Sequence, residues 1–233
     1  MKIAMWSGPR NLSTAMMYAF GNRTDFSVLD EPFYGAYLAQ SGIDHPARDD
    51  VLADQETDPE KIARHLSGPV PDAKPHWYQK HMAFHMLAGF PLDWADECVN
   101  VHLIRHPARV VASYVAKRER PTLDDIGFRQ QVSLYQRFPG PVIDSADIRA
   151  DPQGVLGRLC AEIGLPFDPA MLAWPVGPKP FDGIWASHWY GAVHASTGFL
   201  GAEGPLPALG DDYDRLSRAA MPYYEALQNH ALR

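Results

Sequence analysis

A chain of 233 residues, 46% hydrophobic and 21% charged, has the material for one sizeable core and little length for a second, so a single domain over 1–233 is expected. A formal charge of −7 argues against a broad nucleic-acid footprint while leaving room for a local basic pocket, and no run approaches the ~20 apolar residues of a membrane helix. The two cysteines, Cys98 and Cys160, are too few for a disulfide scaffold or a CxxC metal site, and Met1-Lys2 runs straight into an apolar segment without a secretory leader; reduced thiols and a cytoplasmic location are the expectation.

The first apolar run, Ile3-Ala4-Met5-Trp6, reads as a buried strand that breaks at Ser7-Gly8-Pro9. From Ser13 the spacing of Met16, Met17 and Phe20, with Ala15 and Ala19, predicts a helix capped by Asn11 or Ser13. Strand, tight loop and helix in succession aim backbone N–H groups and the positive end of a helix dipole at one point, which suits phosphate or sulfate, and Arg10 adds a fixed charge there. The nucleoside-triphosphate loop G-x-x-x-x-G-K-[ST] is not matched, because the second Gly and the Lys are missing after Gly8.

Phe26-Ser27-Val28-Leu29 predicts a second strand ending at Asp30-Glu31-Pro32-Phe33. In an open α/β sheet ligands lie beyond the carboxyl ends of the strands, so Glu31 is a candidate general base; Asp30 or Glu31 as a metal carboxylate and a simple exposed turn acid are the competing readings. Pro32 biases Glu31 toward extended backbone. The polar stretch 41–73 is expected to form loops and short helices that cover the edge, one starting at Asp58-Pro59-Glu60 and stopping at Gly68-Pro69.

His76 to Met82 reads as a strand with Lys80 and His81 near its end, where a cation stabilises transferring negative charge. His81 and His85 are four apart but lack the Glu of HExxH, so a metal helix is not expected. Val99 to Arg105 is an alternating strand, and Pro107 opens a helix carrying Val110, Val111, Tyr114 and Val115, with Lys117, Arg118 and Arg120 as its solvated end. Further predictions are a helix over Asp124–Phe138, a short strand at Pro141–Asp144, a helix from Asp151-Pro152 to a Gly164 cap, and a closing helix over Asp211–Leu232. The Pro- and Gly-rich segment 166–209, with Trp185 to Tyr190, is too long for an idle connection and is expected to fold over the sheet edge.

Taken together, SGPRNLST and LIRHPARVVAS resemble the sulfotransferases that use 3′-phosphoadenosine 5′-phosphosulfate (PAPS). The resemblance spans about residues 2–165 and implies an α/β, three-layer fold around a mostly parallel sheet, similar to that of P-loop proteins. It implies that Arg10, Asn11, Leu12, Ser13 and Thr14 grip the 5′-phosphosulfate, and that Arg105 and Ser113, eight apart, hold the 3′-phosphate. Arg10 replaces the commoner Lys, Leu12 a Gly, and Ala15 stands where many members stack a Trp on adenine. The K-x-H motif is absent, since Lys80 and His81 are adjacent, while Leu29-Asp30-Glu31-Pro32-Phe33 is similar to bacterial members in which a Glu after the second strand is the base.

The implied reaction is sulfuryl transfer from PAPS to a hydroxyl, or an amine, of a small-molecule acceptor, giving 3′,5′-ADP without a metal. Glu31 then takes the acceptor proton, with His81 its competitor, and Arg10 and Lys80 stabilise charge. The rival expectations are a nucleotide kinase or hydrolase using Asp30-Glu31 and Mg²⁺, and a non-catalytic nucleotide-binding module.

Overall fold

Burial of every residue of Lys2–Ser7 (β1) after Lys2 fits the centre of a sheet, and β1 does pair on both sides. This computed structural model describes residues 1–116 and 120–233. After β1 come α1 (Ser13–Gly21), β2 (Phe26–Asp30), α2 (Tyr34–Ser41), α3 (Arg48–Asp54), α4 (Pro59–Ser67) and β3 (His76–Met82). The chain continues through β4 (Val99–Ile104), α5 (Pro107–Val115), α6 (Phe128–Arg137), β5 (Val142–Asp144), α7 (Ser145–Ala150) and α8 (Pro152–Glu162). Two single turns, α9 (Ala186–Trp189) and α10 (Gly191–His194), precede the closing α11 (Asp211–Gln228).

The five strands run in the order β2-β3-β1-β4-β5, and every pairing among them is parallel. Parallel neighbours need crossovers, and the intervening helices supply them while covering both faces. Alternation along the strands sorts the core. Ile3, Met5, Tyr78, Val101 and Leu103 face one way, against α1 and α8. Ala4, Trp6 and Trp77 face the other, against α4, the turn at Trp94 and α6. Beyond β4, α5 and α11 bury Val110, Val111, Ala220, Tyr224 and Leu227 together. The chain leaves β1 toward β2 and leaves β3 toward β4, in opposite directions across the sheet, so the carboxyl ends of β1 and β3 flank the switch point where such folds bind ligands.

Several boundaries differ from the sequence expectation. The helix expected from Asp124 starts at Phe128, because Thr122 and Asp125 exchange hydrogen bonds in a turn and Gly127 enters the left-handed region at φ +70°. The unexpected α7 is short and capped by Asp144, which accepts from the Ala146 N–H at 2.8 Å. The last helix ends at Gln228, and the residues after it turn back onto β5, with the Leu232 N–H donating to the Val142 carbonyl at 2.9 Å. Lys117 and Arg118, expected at a helix end, lie outside the described residues; Arg120 stands beyond the last turn of α5 at φ +54°. Asp58 caps α4 as expected, accepting from Glu60 N–H at 2.9 Å.

Candidate active site

The loop after β1 is built by two left-handed residues that are not glycine, Arg10 at φ +61° and Leu12 at φ +73°. Such a conformation costs roughly 1–3 kcal/mol per residue and persists only where the surroundings enforce it. Here the enforcement is visible. Arg105 Nη1 donates to the Arg10 carbonyl at 2.8 Å, and Asn11 Nδ2 donates to Leu103 carbonyl at 3.2 Å. Gly8 passes so close to Ile126 that an added Cβ would stand 2.9 Å from its carbonyl oxygen.

Neither expected cap forms: Leu12 is the N-cap of α1 and no side chain caps the helix, while Asn11 is turned into the core. An uncapped helix start leaves its first N–H groups for a ligand. Ser13 and Thr14 at that start line the adjoining cavity together with Arg10 and Leu12, whereas Asn11 does not. Ser113 and Arg105 do come to the same place, and Ser113 accepts from Arg10 Nε at 2.9 Å. Burial and the nearby Arg105 charge both lower the Arg10 pKa.

On the other side of the switch point, β2 and β3 are in register at Asp30 and Lys80, which places a carboxylate beside an ammonium under the cover of segment 166–209. Lys80 Nζ contacts Asp30 Oδ1 at 2.9 Å, Glu31 Oε1 at 2.5 Å and Tyr190 Oη at 2.5 Å. Three oxygens thus match the three ammonium donors. Burial opposes the Lys80 charge, but Asp30 and Glu31 outweigh it and hold Lys80 above its ordinary range. Burial drives Glu31 upward against the pull of Lys80, and Asp30 adds to the rise. Tyr190 is likewise held well above the ordinary phenol value by burial and then by Asp30 and Glu31.

Glu31 has φ +43°, so the extended bias expected from Pro32 is overridden. Its N–H donates to the Lys80 carbonyl at 3.0 Å, and its own carbonyl accepts from Tyr34 N–H at 3.0 Å and Gln55 Nε2 at 3.3 Å. Held this way, Glu31 and Lys80 both line the cavity, and Asp30 does not. Asp30 is wholly engaged inside: Oδ1 meets Lys80, and Oδ2 accepts from Tyr190 at 2.7 Å and from the Gly183 N–H at 3.1 Å.

His81, offered by the sequence as the rival base, is on the wrong face of β3. Being one residue from Lys80 it points away from the cavity, where it is packed between Trp6 and Trp94 with ring centroids at 4.8 and 4.7 Å. Burial lowers its pKa to about 3. His85, which the sequence suggested only to dismiss as a metal ligand, is instead at the cavity wall, stacked on Tyr34 at 4.7 Å, with Nδ1 3.9 Å from Glu31 Oε2. Asp30, read from the sequence as a possible metal carboxylate, instead braces Lys80 and Tyr190, and Tyr190 and Trp185 join the network without having been singled out as site residues. Trp185 Nε1 donates to Tyr190 Oη at 3.0 Å, and only the aromatic content of 185–190 had marked that segment.

Arg10, Leu12, Ser13, Thr14, Glu31, Lys80, His85, Arg105, Ser113 and Tyr190 open onto one cavity of about 370 Å³, walled elsewhere by Tyr34, Phe84, Trp189, Val193 and Phe199. The family profile described as "Sulfotransferase domain" matches residues 1–231. The chain belongs to the sulfotransferase family. Its fold is similar to that of the "Sulfotransferase Domain from the Curacin Biosynthetic Pathway", with a TM-score of 0.54, 15% identity, and coverage of 94% of this chain and 96% of that one.

Two Arabidopsis thaliana proteins, "Branched-chain-amino-acid aminotransferase-like protein 1" and "protein 2", are 37% and 35% identical over 98% of this sulfotransferase chain. The chain spans 42% and 41% of their respective lengths. Among the described residues no helix of this family member is long and apolar enough to cross a membrane.

Proposed function

We propose that this sulfotransferase moves a sulfuryl group from PAPS to a hydroxyl, or an amine, of a small-molecule acceptor and releases 3′,5′-ADP. The observation that carries the reading is the meeting of Arg10, the uncapped start of α1, Arg105 and Ser113 with the buried Glu31-Lys80 pair around one cavity. A volume of about 370 Å³ is within the range of roughly 300–1,000 Å³ usual for small-molecule sites.

The proposed division of labour rests on the family resemblance and is supported by where these groups lie. Arg10 and the N–H groups of α1 face the 5′ side of the nucleotide and stabilise negative charge growing on the leaving phosphate. Arg105 and Ser113 hold the 3′-phosphate. Glu31, its proton affinity raised by burial, accepts the acceptor proton. Lys80, whose donors are all matched by Asp30, Glu31 and Tyr190, acts by fixing Glu31 rather than by touching the transferring group. The aromatic and aliphatic wall favours an acceptor with an apolar body. A kinase or hydrolase reading needs Asp30 at a Mg²⁺ ion, and its oxygens already serve Lys80, Tyr190 and Gly183.

The test is calorimetric titration of 3′,5′-ADP against 5′-AMP, together with turnover of Glu31→Gln measured as 3′,5′-ADP released from PAPS across a panel of apolar alcohols and amines. Wild-type protein should prefer 3′,5′-ADP and Arg105→Ala should lose the preference. Glu31→Gln should bind 3′,5′-ADP normally and lose about 10²–10⁴ in turnover. Equal affinity for the two nucleotides would sink the donor assignment, and near-normal turnover in Glu31→Gln would sink the base.

A further inference from the structure

Between Phe199, which packs edge-on to Trp174, and Leu209, which packs beside α5 and α11, segment 200–208 carries no regular secondary structure and leaves Leu200 and Leu206 61% and 52% exposed, so little apolar burial pins it. Glu203 nevertheless has a side chain only 3% exposed, between exposed Ala202 and Gly204. Its carboxylate is the meeting point of three guanidiniums from three elements. Arg105, just past β4, reaches it through Nη2; Arg109 on α5 places Nε 2.8 Å from Oε2; and Arg149 on α7 places Nη1 3.0 Å from Oε1. Arg149 Nε also donates to the Gly201 carbonyl at 2.9 Å, and Arg109 Nη2 donates to the Gly204 carbonyl. The segment is therefore tied down on both sides of Glu203 by the same arginines.

Among the described residues three guanidiniums meet on this one carboxylate, more donors than its two oxygens can take. Arg105 Nε is buried and makes no hydrogen bond. A phosphate monoester, with charge about −1.5 to −2 and three acceptor oxygens, matches this set better than a glutamate does. Arg105 is also the residue assigned to the 3′-phosphate above, and Arg149, Phe199 and Leu200 line the same cavity.

We propose, on the donor reading given above, that Glu203 is an internal stand-in for the nucleotide's 3′-phosphate. The phosphate displaces the carboxylate, Arg109 and Arg149 join Arg105 as its ligands, and the segment from Leu200 to Gly204 lifts away, while Gly198 stays paired with Ala173 and Phe199 stays against Trp174. Gly201 and Gly204 lie on either side of Glu203, and a Cβ added at either would meet nothing within 4 Å, so among the described residues only the arginine bonds to their carbonyls hold them. Each nucleotide must then outcompete a tethered anion, so the apparent affinity is lower than that of the bare arginine set.

Calorimetry on Glu203→Gln and on Glu203→Gln/Arg149→Gln tests this, with 3′,5′-ADP, 5′-AMP and inorganic phosphate as the titrants. Removing the stand-in should tighten 3′,5′-ADP by about tenfold or more, leave 5′-AMP within about twofold, and make inorganic phosphate a detectable ligand. The double variant should lose that gain, since Arg149 is then absent. Unchanged or weaker 3′,5′-ADP binding in Glu203→Gln, with no phosphate binding, would overturn the proposal, as would a gain that persists in the double variant. Phosphate binding gained by Glu203→Gln without any preference for 3′,5′-ADP over 5′-AMP would uphold the stand-in and refute the donor reading instead. Should Glu203→Gln not fold, Glu203→Ala carries the same comparison.

Discussion

Lys80→Met is the most informative change in the buried network. Lys80 is 1% exposed at its side chain, with Asp30 at 3% and Glu31 at 10%, so their interactions are not screened as surface pairs are. Removing the ammonium deletes contacts of 2.9, 2.5 and 2.5 Å and leaves two adjacent buried carboxyl groups with no cation between them. Breaking a buried ion pair from one side costs about 3–5 kcal/mol, against a total of about 5–15 kcal/mol for an ordinary domain. The loss should depend on pH in a definite sense. Without Lys80, nothing opposes the burial that already raises Glu31, and a group raised in the fold contributes stability at low pH that disappears as pH rises through the folded value. Urea unfolding at pH 7 and pH 5 should show the deficit shrinking at pH 5, and adding Asp30→Asn should recover part of it at pH 7. A Lys80→Met protein within about 1 kcal/mol of wild type at pH 7, or one made worse by Asp30→Asn, would refute the argument that burial makes this pair decisive.

Arg10→Ala should lower turnover by about two to three orders of magnitude, the scale for one lost preorganised donor, with 3′,5′-ADP preference over 5′-AMP retained; undiminished kcat would assign the charge to the α1 amides alone. Acid should also unfold the protein through its buried histidines. Burial lowers His81 to about 3, His102 to about 4 and His85 well below the ordinary 6.5. Depressed in the fold, they supply stability that is complete above pH ~6.5 and falls by about 1.4 kcal/mol per pH unit for each one as the unfolded chain protonates. Glu31 and Asp144, raised by burial, work in the opposite sense at lower pH and offset part of the loss. His81→Phe should flatten the urea midpoint's decline between pH 6.5 and 5 by about one proton while leaving turnover unchanged; an unaltered slope would show that His81 already titrates normally in the fold.

The elements were legible where a single period dominates. Met16, Met17 and Phe20 forecast α1, a short apolar run forecast β1, aromatic content β3 and alternation β4, and the forty-odd residues after Gly164 that fold over the sheet edge were betrayed by length and aromatic content. The PAPS-type resemblance carried the family because its two motifs each sit at a strand end, where local sequence and site coincide.

What the sequence by itself determined is the order of strand, loop and helix at the start, the acidic turn after β2 and the arginine after β4, because these are read from local pattern, while the left-handed backbone at Arg10, Leu12 and Glu31 is set by tertiary partners. The tertiary structure alone decided which of Lys80 and His81 faces the cavity. That depends on strand register and on which face α1 covers, not on either residue's chemistry. It also decided that Tyr190, 159 positions away and held by Trp185, meets Glu31, and that Glu203 lies on Arg105. Such contacts are fixed by the packing of a long irregular segment, which carries no periodicity for a sequence to reveal.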